Sequence, residues 1–252
     1  MGSDTVVLDR AEGRVDITLN RPAKSNALTG EMFLRLGEIF EGLADDDVSV
    51  VTLRGAERTF SAGVDMAGVP EWAEMKPLEV RDLLEPIHEG LNTIESLDAP
   101  VVAALEGHVL GGGLELALAC DIRIADTTAR FGLPESTMGL AMDLGGAQKL
   151  PGMIGEGMTK YLIMTGEPID AERAHEVGLI EEHHEPDAFE DALDELVATL
   201  ASKPTYVHGI AKRQVHSVRP PSVEGSMSRA IHHAIAAYNE PETQRRVAEF
   251  FE

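Results

Sequence analysis

Hydrophobic and polar residues follow two different spacings along the first part of the chain. Short apolar runs at residues 6–8 and 15–19 lie on either side of a glycine-containing turn and predict a β-hairpin. Over residues 30–43 the apolar positions recur every three to four residues, which predicts a helix, and Thr29 is a favourable N-cap for it. Residues 48–53 then form a continuous apolar run, typical of a strand that is covered on both faces.

The rest of the chain alternates between such strands and helical spacing. Residues 101–105 and 122–125 indicate two further strands. Helical patterns occupy residues 72–97, with Pro77 and Pro86 as interruptions, then 114–120, a stretch that opens at Gly145-Gly146, and 171–177, 189–200, 207–215 and 223–238. This alternation predicts an α/β fold. We divide it into a core at residues 1–196 and a helical C-terminal region at 197–252.

Composition agrees with a globular protein that has a substantial core. The chain has 252 residues, of which 43% are hydrophobic, enough for one large domain with or without a smaller lobe. No apolar run approaches the ~20 residues that span a bilayer, and the first ten residues lack the pattern of a secretory signal. Cys120 is the single cysteine, which fits a reducing compartment. We therefore expect a soluble cytoplasmic protein.

Charge narrows the possible partners. The chain carries 44 acidic and 21 basic residues, a formal charge of -23, and few of the bases are lysine. A phosphate backbone needs a basic surface, so nucleic acid is not expected as a partner. Two interpretations of the acidity stay open. One is an ordinary acidic enzyme, and the other is a protein from a salt-rich cytoplasm, whose composition this sequence resembles.

A glycine-rich turn stands between the apolar strand at 101–105 and the helix that follows it. Gly111, Gly112 and Gly113 let the backbone approach a ligand closely, and the first amides of a helix have no partner within it. These amides can donate hydrogen bonds to a developing negative charge, and Glu115 follows in the first turn. The alternative interpretation is a tight turn with a surface glutamate.

Two further segments carry candidate chemistry. The small-residue loop 58–65 can present a free amide at Ala62, and two amides from two loops form an oxyanion hole. Glu135 follows Pro134 on a separate element, 20 residues after Glu115. If the two carboxyl groups meet, repulsion and burial give an acid and base pair. Otherwise these are an ordinary loop and two unrelated surface acids.

Taken in order, the motifs of the chain resemble those of the crotonase, or enoyl-CoA hydratase/isomerase, superfamily. The resemblance covers about residues 15–200. It consists of LNRP at 19–22, NAL at 26–28, FSAGVD at 60–65, GGGLELA at 111–117, CDI at 120–122, FGLPE at 131–135, GG at 145–146, LIMTG at 162–166, AERA at 171–174 and GLI at 178–180. Each motif alone is weak, but their shared order is specific.

The resemblance implies a fold, an assembly and an activity. The fold is a spiral of ββα units with a helical C-terminal oligomerisation lobe that builds trimers or hexamers. The implied enzyme is an enoyl-CoA hydratase, which adds water syn to a 2-enoyl-CoA in fatty acid β-oxidation. Ala62 and Gly112 would hold the thioester oxygen, Glu115 would deprotonate water, and Glu135 would protonate the α-carbon. No metal or separate cofactor is implied, because coenzyme A belongs to the substrate.

The resemblance also indicates where coenzyme A binds. Its contacts are expected near the oxyanion loop and the segment before it, at Lys24, Ser25, Ala62 and Asp65. For Lys24 the alternative is a solvated surface charge. Typical family members end in a basic stretch that helps to bind the phosphates, whereas residues 249–252 here read Glu-Phe-Phe-Glu. How the phosphates are held therefore stays open.

Asp143 departs from the usual hydratase pattern. Many hydratases have Pro-Gly-x-Gly-Gly at this place, whereas some isomerases and the carnitinyl-CoA dehydratase branch carry aspartate. Asp143 is either a third acid in the pocket or a cap for the helix that begins near Gly145. A double-bond isomerase and a non-catalytic homologue therefore remain as alternatives to the hydratase.

Other reactive residue types are expected to be structural. The pairs His183-His184 and His232-His233 lack acidic or cysteine partners at metal-ligand spacing. Cys120 lies in an apolar helix and is expected in the core. Trp72 either lines the acyl pocket or packs.

Overall fold

The computed structural model describes residues 4–11, 13–218 and 222–250. The strands are β1 (Val6–Ala11), β2 (Arg14–Leu19), β3 (Val50–Gly55), β4 (Val101–Leu105), β5 (His108–Leu110), β6 (Ile122–Asp126), β7 (Arg130–Gly132), β8 (Ile169–Asp170) and β9 (Glu182–His184). The helices are α1 (Gly30–Leu43), α2 (Val69–Glu74), α3 (Pro77–Ser96), α4 (Gly112–Ala117), α5 (Gly146–Thr165), α6 (Ala171–Glu176), α7 (Phe189–Ala201), α8 (Thr205–Ser217), α9 (Ser222–Tyr238) and α10 (Pro241–Phe250).

The strands form two sheets. The larger has the strand order β1-β2-β3-β4-β6-β9 and is parallel except for the β1–β2 hairpin, which confirms the hairpin prediction. The smaller has the order β5-β7-β8. Successive turns of the chain place one strand in the large sheet, the next in the small sheet, and then a helix, as in β4-β5-α4 and β6-β7-α5. The result is the expected spiral of ββα units.

Local sequence explains why α1 forms where it was predicted. The Thr29 hydroxyl accepts a hydrogen bond from Met32 N–H (3.2 Å), so one of the unpaired amides of the first turn has a partner. The apolar residues of α1 that recur at a spacing of three and four are buried, whereas Leu34 lies exposed outside that pattern. Pro77 stands at the first position of α3, where its missing N–H costs little.

The large sheet is covered on both faces, as its continuous apolar strands predict. One face packs on the main core, and α7 covers the other with Phe189, Leu193 and Val197. These side chains pack against Val50 and Val102 of the sheet. Burial of each such side chain contributes on the order of 2 kcal/mol.

The C-terminal helices pack back onto the chain that carries them. α9 contacts α3 and α5, and α10 contacts α2 and the 3₁₀ turn Pro134–Met138. The boundary that we placed at residue 197 falls inside α7, and the division into two regions stays a prediction. In the described part of the chain no helix is both long and apolar enough to cross a bilayer.

Candidate active site

A cavity of about 240 Å³ opens between α1, α3, α4, the turn Pro134–Met138 and the end of α9. Most of its wall is apolar, with Phe33, Leu84 and Ile87 on one side. The polar groups that reach it are few. They include the side chains of Glu115, Glu135, Thr137, Asp143 and Tyr238, together with the backbone around residues 62–64 and 111–112.

Glu115 lies in the first turn of α4 and is buried, with 2% of its surface exposed. Its Oε1 accepts hydrogen bonds from Gly146 N–H (2.7 Å) and Leu144 N–H (3.1 Å) at the start of α5. A Cβ on Gly146 would lie 3.0 Å from that oxygen, so glycine leaves room for the approach. These contacts exclude the surface-glutamate interpretation and fix the carboxyl group in the cavity wall.

Glu135 reaches the same cavity from the turn that follows β7. Its Oε1 lies beside Gly111, 3.0 Å from where a Cβ of that glycine would stand. Its Oε2 is buried and has no hydrogen-bond partner among the described residues. Buried polar atoms are nearly always paired, so an open oxygen in a cavity wall marks a place for a ligand or water. The structure therefore brings together the two acids that sequence spacing alone could not relate.

Asp143 is a third acid in this cavity, and it does not cap α5. The N-cap residue of α5 is Gly145, which has no side chain to cap the helix. The Asp143 carboxyl group instead accepts a hydrogen bond from the Tyr238 hydroxyl (3.2 Å), and His88 Nε2 lies 2.5 Å from the Asp143 carbonyl oxygen. The capping interpretation is thus wrong, and the pocket interpretation describes its position.

Burial raises the pKa of all three acids, and repulsion by neighbouring carboxylates adds to it at Glu115 and Glu135. Burial, followed by the charges of Glu135 and Asp143, raises the pKa of Glu115 well above its usual value. Burial and the charge of Asp143 raise the pKa of Glu135 to about 7. Burial raises the pKa of Asp143 to about 6, although the hydrogen bond from Tyr238 acts in the opposite direction. The cavity therefore holds carboxyl groups that can both give and take protons near neutral pH.

The Ala62 amide is not free to hold a ligand oxygen, contrary to our prediction. Its N–H donates to the Ser25 carbonyl oxygen (2.9 Å). The next amide, Gly63 N–H, donates to Ser61 Oγ (3.1 Å). Val64 N–H follows, and it has no hydrogen-bond partner in the described part of the chain. Among the described residues, the free hydrogen-bond donor of this loop is therefore the Val64 N–H group and not the Ala62 N–H group.

Gly112 supplies the second free amide. It is the first residue of α4, ahead of the intrahelical ladder, and its N–H has no partner within the described residues. The Val64 and Gly112 backbones are adjacent, because a Cβ on Gly112 would lie 3.6 Å from Val64 N and 2.7 Å from Val64 Cγ2. Any larger residue at position 112 would collide there. Two unpaired N–H groups thus meet beside Glu115 and Glu135.

The residues predicted to bind coenzyme A have mixed surroundings. Lys24 is exposed, and Ser25 has a left-handed backbone with φ 47°. The Asp65 carboxyl group accepts from Ala67 N–H (3.0 Å) and pairs with Arg21 (2.8 Å). Despite partial burial, these partners lower the pKa of Asp65. Asp65 therefore stabilises the loop, and the coenzyme A contacts stay predictions.

Three other expectations concern residues outside the acid cluster. Cys120 is buried in the core, as expected, and burial raises the pKa of its thiol to about 12. Trp72 lines the cavity, and its ring centroid lies 6.4 Å from that of Tyr238. Within the described ranges no group of three or more His, Cys, Asp or Glu side chains is placed to hold a metal ion.

Two functional groups escaped the sequence analysis. Val64 was missed because the choice between neighbouring amides depends on which one meets the Ser25 carbonyl. Tyr238 was missed because it lies 95 residues from Asp143 in sequence. The available signal was a tyrosine at the end of an amphipathic helix, which does not indicate a partner.

The double-sheet spiral, with Glu115 in the first turn of α4 and Glu135 on the turn that follows β7, is the crotonase fold. The chain belongs to the enoyl-CoA hydratase/isomerase family, whose sequence model matches residues 9–245. This membership confirms the resemblance carried by the sequence motifs.

Individual relatives agree with this assignment. The chain is 36% identical over 222 residues to the short-chain-enoyl-CoA hydratase of Clostridium acetobutylicum, covering 86% of this chain and 82% of that protein. It is 30% identical over 230 residues to the crotonyl-CoA hydratase of Syntrophomonas wolfei subsp. wolfei, covering 90% and 87%. The crystal structure of an enoyl-CoA hydratase from Bacillus anthracis is 34% identical and superposes with a TM-score of 0.79, covering 92% and 91%. One from Bacillus halodurans is 23% identical with a TM-score of 0.90, covering 98% and 100%, and supports the fold alone.

Proposed function

We propose that this protein is an enoyl-CoA hydratase, which adds water syn across the double bond of a 2-enoyl-CoA to give a 3-hydroxyacyl-CoA. The observation that carries the proposal is the convergence of Glu115 and Glu135 on one cavity, next to the Val64 and Gly112 amides, which have no partner among the described residues. Two amides suit an oxygen that gains negative charge, and two carboxyl groups suit proton transfer on one face of a substrate. The hydratase names of the two relatives point the same way.

In the proposed reaction the Val64 and Gly112 amides donate to the thioester oxygen while enolate character develops. Glu115 takes a proton from a water molecule, whose oxygen forms a bond to the β-carbon. Glu135 gives a proton to the α-carbon, and proton exchange with solvent restores both acids. Glu115 suits the first role because two main-chain N–H groups fix one of its oxygens. Glu135 suits the second because a carboxyl group with a pKa of about 7 is partly protonated at neutral pH.

The second candidate is a double-bond isomerase of the same family. The observation that favours it is Asp143, a buried acid in the cavity with a pKa of about 6. A third proton-transfer group could move a proton between two carbons of the acyl chain. A non-catalytic homologue is the remaining alternative from the sequence.

Turnover assays separate these functions. Crotonyl-CoA incubated with the protein should lose the absorbance of its conjugated enoyl thioester as 3-hydroxybutyryl-CoA forms. Stable absorbance with crotonyl-CoA, together with conversion of a 3-enoyl-CoA, would replace the hydratase by the isomerase. No turnover of either substrate would favour the non-catalytic homologue. The variant carrying both Glu115→Gln and Glu135→Gln is the matched control for non-enzymatic hydration.

Assembly and setting belong to the same proposal. We propose a trimer or a hexamer that works in the cytoplasm in fatty acid β-oxidation. Exposed apolar residues on α8, among them Tyr206, Ile210 and Val215, support a contact between copies of the chain. Light scattering coupled to size-exclusion chromatography gives the mass of the particle. A monomer at physiological and high salt would refute the assembly proposal.

A further inference from the structure

The segment at residues 25–28 runs beside the loop at residues 58–65 and forms main-chain hydrogen bonds with it. Ala62 N–H donates to the Ser25 carbonyl oxygen (2.9 Å), and Leu28 N–H donates to the Gly63 carbonyl oxygen (2.8 Å). Asp65 N–H then donates to the Leu28 carbonyl oxygen (2.8 Å). The segment therefore binds the loop on both sides of Val64 without using the Val64 amide.

The Ser61 hydroxyl completes this arrangement. Ser61 is fully buried, and its Oγ donates to the Asn26 carbonyl oxygen (2.9 Å) while it accepts from Gly63 N–H (3.1 Å). One hydroxyl thus links the segment to the loop and fixes the Ala62–Gly63 peptide, the neighbour of the peptide that carries Val64 N–H. Because the amides of Ala62, Gly63 and Asp65 are all engaged, Val64 N–H is the donor of this loop left for a ligand, as far as the described residues show.

Asn26 holds the carbonyl group that Ser61 contacts. Its backbone is left-handed with φ 54°, a conformation that asparagine tolerates better than most residues. Its buried side chain donates to the carbonyl oxygens of Ala56 (2.9 Å) and Thr59 (2.5 Å) and accepts from Arg21 N–H (2.9 Å). One amide side chain therefore ties the stretch at residues 56–59 to the segment that begins at Arg21, and these bonds fix the direction of the Asn26 carbonyl.

We propose that Ser61 and Asn26 are positioning residues that aim Val64 N–H at the thioester oxygen, an inference that rests on the proposed function. Neither side chain lines the cavity, so they act through the loop rather than on the substrate. Their action follows from geometry, since an oxyanion donor works when it is held in place before the charge develops.

Ser61→Ala is the direct kinetic test. We expect kcat for crotonyl-CoA hydration to fall by roughly 10- to 100-fold, because a donor displaced by a fraction of an ångström loses most of its effect. KM should change less, and the midpoints of the pH–rate profile should stay in place, since Glu115 and Glu135 are untouched. Ser202→Ala is the matched control, because Ser202 is exposed and its hydroxyl contacts the Thr199 carbonyl oxygen (2.7 Å) and Lys203 Nζ (3.0 Å), neither of which lines the cavity.

Infrared spectroscopy of a bound thioester tests directly whether Val64 N–H is oriented toward the thioester oxygen. Crotonyl-CoA labelled with ¹³C at the thioester carbonyl is bound to the Glu115→Gln, Glu135→Gln double variant, which should not turn it over. Isotope-edited infrared spectra then give the stretching frequency of the bound carbonyl group, which falls as its hydrogen bonds strengthen. Adding Ser61→Ala should move the frequency back toward the value in water, whereas adding Ser202→Ala should not.

The outcomes separate this inference from the hydratase proposal. Protein that binds crotonyl-CoA with a lowered carbonyl frequency, lost on adding Ser61→Ala, supports the positioning role even if wild type hydrates nothing. Active wild-type enzyme with unchanged kcat and carbonyl frequency in Ser61→Ala overturns the positioning role alone. A carbonyl frequency that is not lowered in the double variant also overturns it. If Ser61→Ala does not fold, Ser61→Cys, whose thiol is a weaker donor and acceptor, serves with the same criteria.

Discussion

Glu115 and Glu135 face the same cavity but are held differently, and this predicts their response to substitution. Glu115 has one oxygen fixed by two main-chain N–H groups, whereas Glu135 has a buried oxygen with no partner in the described chain. We expect Glu115→Gln and Glu135→Gln each to lower kcat by ~100-fold or more, the range that general acid–base groups supply. Steady-state hydration of crotonyl-CoA measures this effect, and unchanged kcat in both variants would remove them from the mechanism.

The raised pKa of Glu135 also predicts a cost in stability that depends on pH. A pKa raised from 4.5 to about 7 means that the folded state binds the proton more tightly than the unfolded state. The free energy of unfolding therefore falls as pH rises from about 4.5 to about 7, by roughly 3 kcal/mol, and stays low above that.

Glu135→Gln should accordingly raise the melting temperature at about pH 8 by several degrees and should lose this advantage near pH 4. Thermal unfolding at a series of pH values measures the difference. Glu167→Gln is the control, because Glu167 is exposed and does not line the cavity. If Glu135→Gln is less stable than wild type at all pH values, the carboxyl group is not under electrostatic stress.

Single residues also show what the sequence could and could not predict at this scale. Glu115, Glu135 and Gly112 were found from their motifs, because acids and glycines at helix starts have a recognisable pattern. The choice of Ala62 over Val64 failed, since the availability of an amide depends on its neighbours in space. For Ala62 that neighbour is the carbonyl of Ser25, a residue of another loop.

Among the elements, α10 supports the turn that carries Glu135. Thr243 of α10 is buried, and its hydroxyl donates to the Gly139 carbonyl oxygen (2.9 Å) directly after that turn. Arg246 also donates to the Thr137 carbonyl oxygen (2.9 Å). These two hydrogen bonds from α10 therefore hold the turn that carries Glu135 in position beside the cavity.

Thr243→Val keeps the shape of the side chain and removes its hydroxyl. We expect kcat to fall by roughly three- to tenfold, as a loss of about 1 kcal/mol of hydrogen bonding loosens the Glu135 turn. Steady-state kinetics and melting curves measure the effect, with Thr199→Val on the exposed face of α7 as control. Reduced stability with unchanged kcat would show that α10 serves the fold and not the site.

Elements differed in how well their sequences predicted them. α1 was predicted with its cap because Thr29 and a regular apolar spacing lie within one segment. The strands β5, β7 and β8 were not predicted, because each has three residues or fewer and pairs with distant parts of the chain. These pairings depend on how the whole chain winds, so the sequence of each short strand shows no local periodicity.

For the whole molecule, the formal charge of -23 predicts a dependence on salt. Repulsion among surface acids opposes the compact state, and salt screens it. We expect the melting temperature, and the activity after dilution, to rise between about 0.05 M and about 2 M KCl. Sucrose of equal osmolality is the control, because it favours burial without screening charge. Full stability in dilute buffer would contradict the interpretation of a salt-rich cytoplasm.

At the scale of the whole molecule, contacts between distant segments could not be predicted, because they depend on how the complete chain packs. The C-terminal region was expected to be an oligomer contact, yet Tyr238 at the end of α9 also enters the cavity of its own chain and donates to Asp143. Helical spacing predicts which face of α9 is apolar, but not which cavity that face meets. Contacts over 95 residues follow from the packing of the complete spiral.

The anchorage of Glu115 by Leu144 N–H and Gly146 N–H has a consequence for how such an enzyme can change over time. Main-chain donors are present whatever side chain stands at residue 144, with proline as the exception. The side chain of residue 144 lines the cavity, so substitutions there would change which acyl groups fit. The hydrogen bond from the N–H of residue 144 to Glu115 would remain. Under the proposed function, substrate range and proton chemistry would thus depend on different atoms of the same residue.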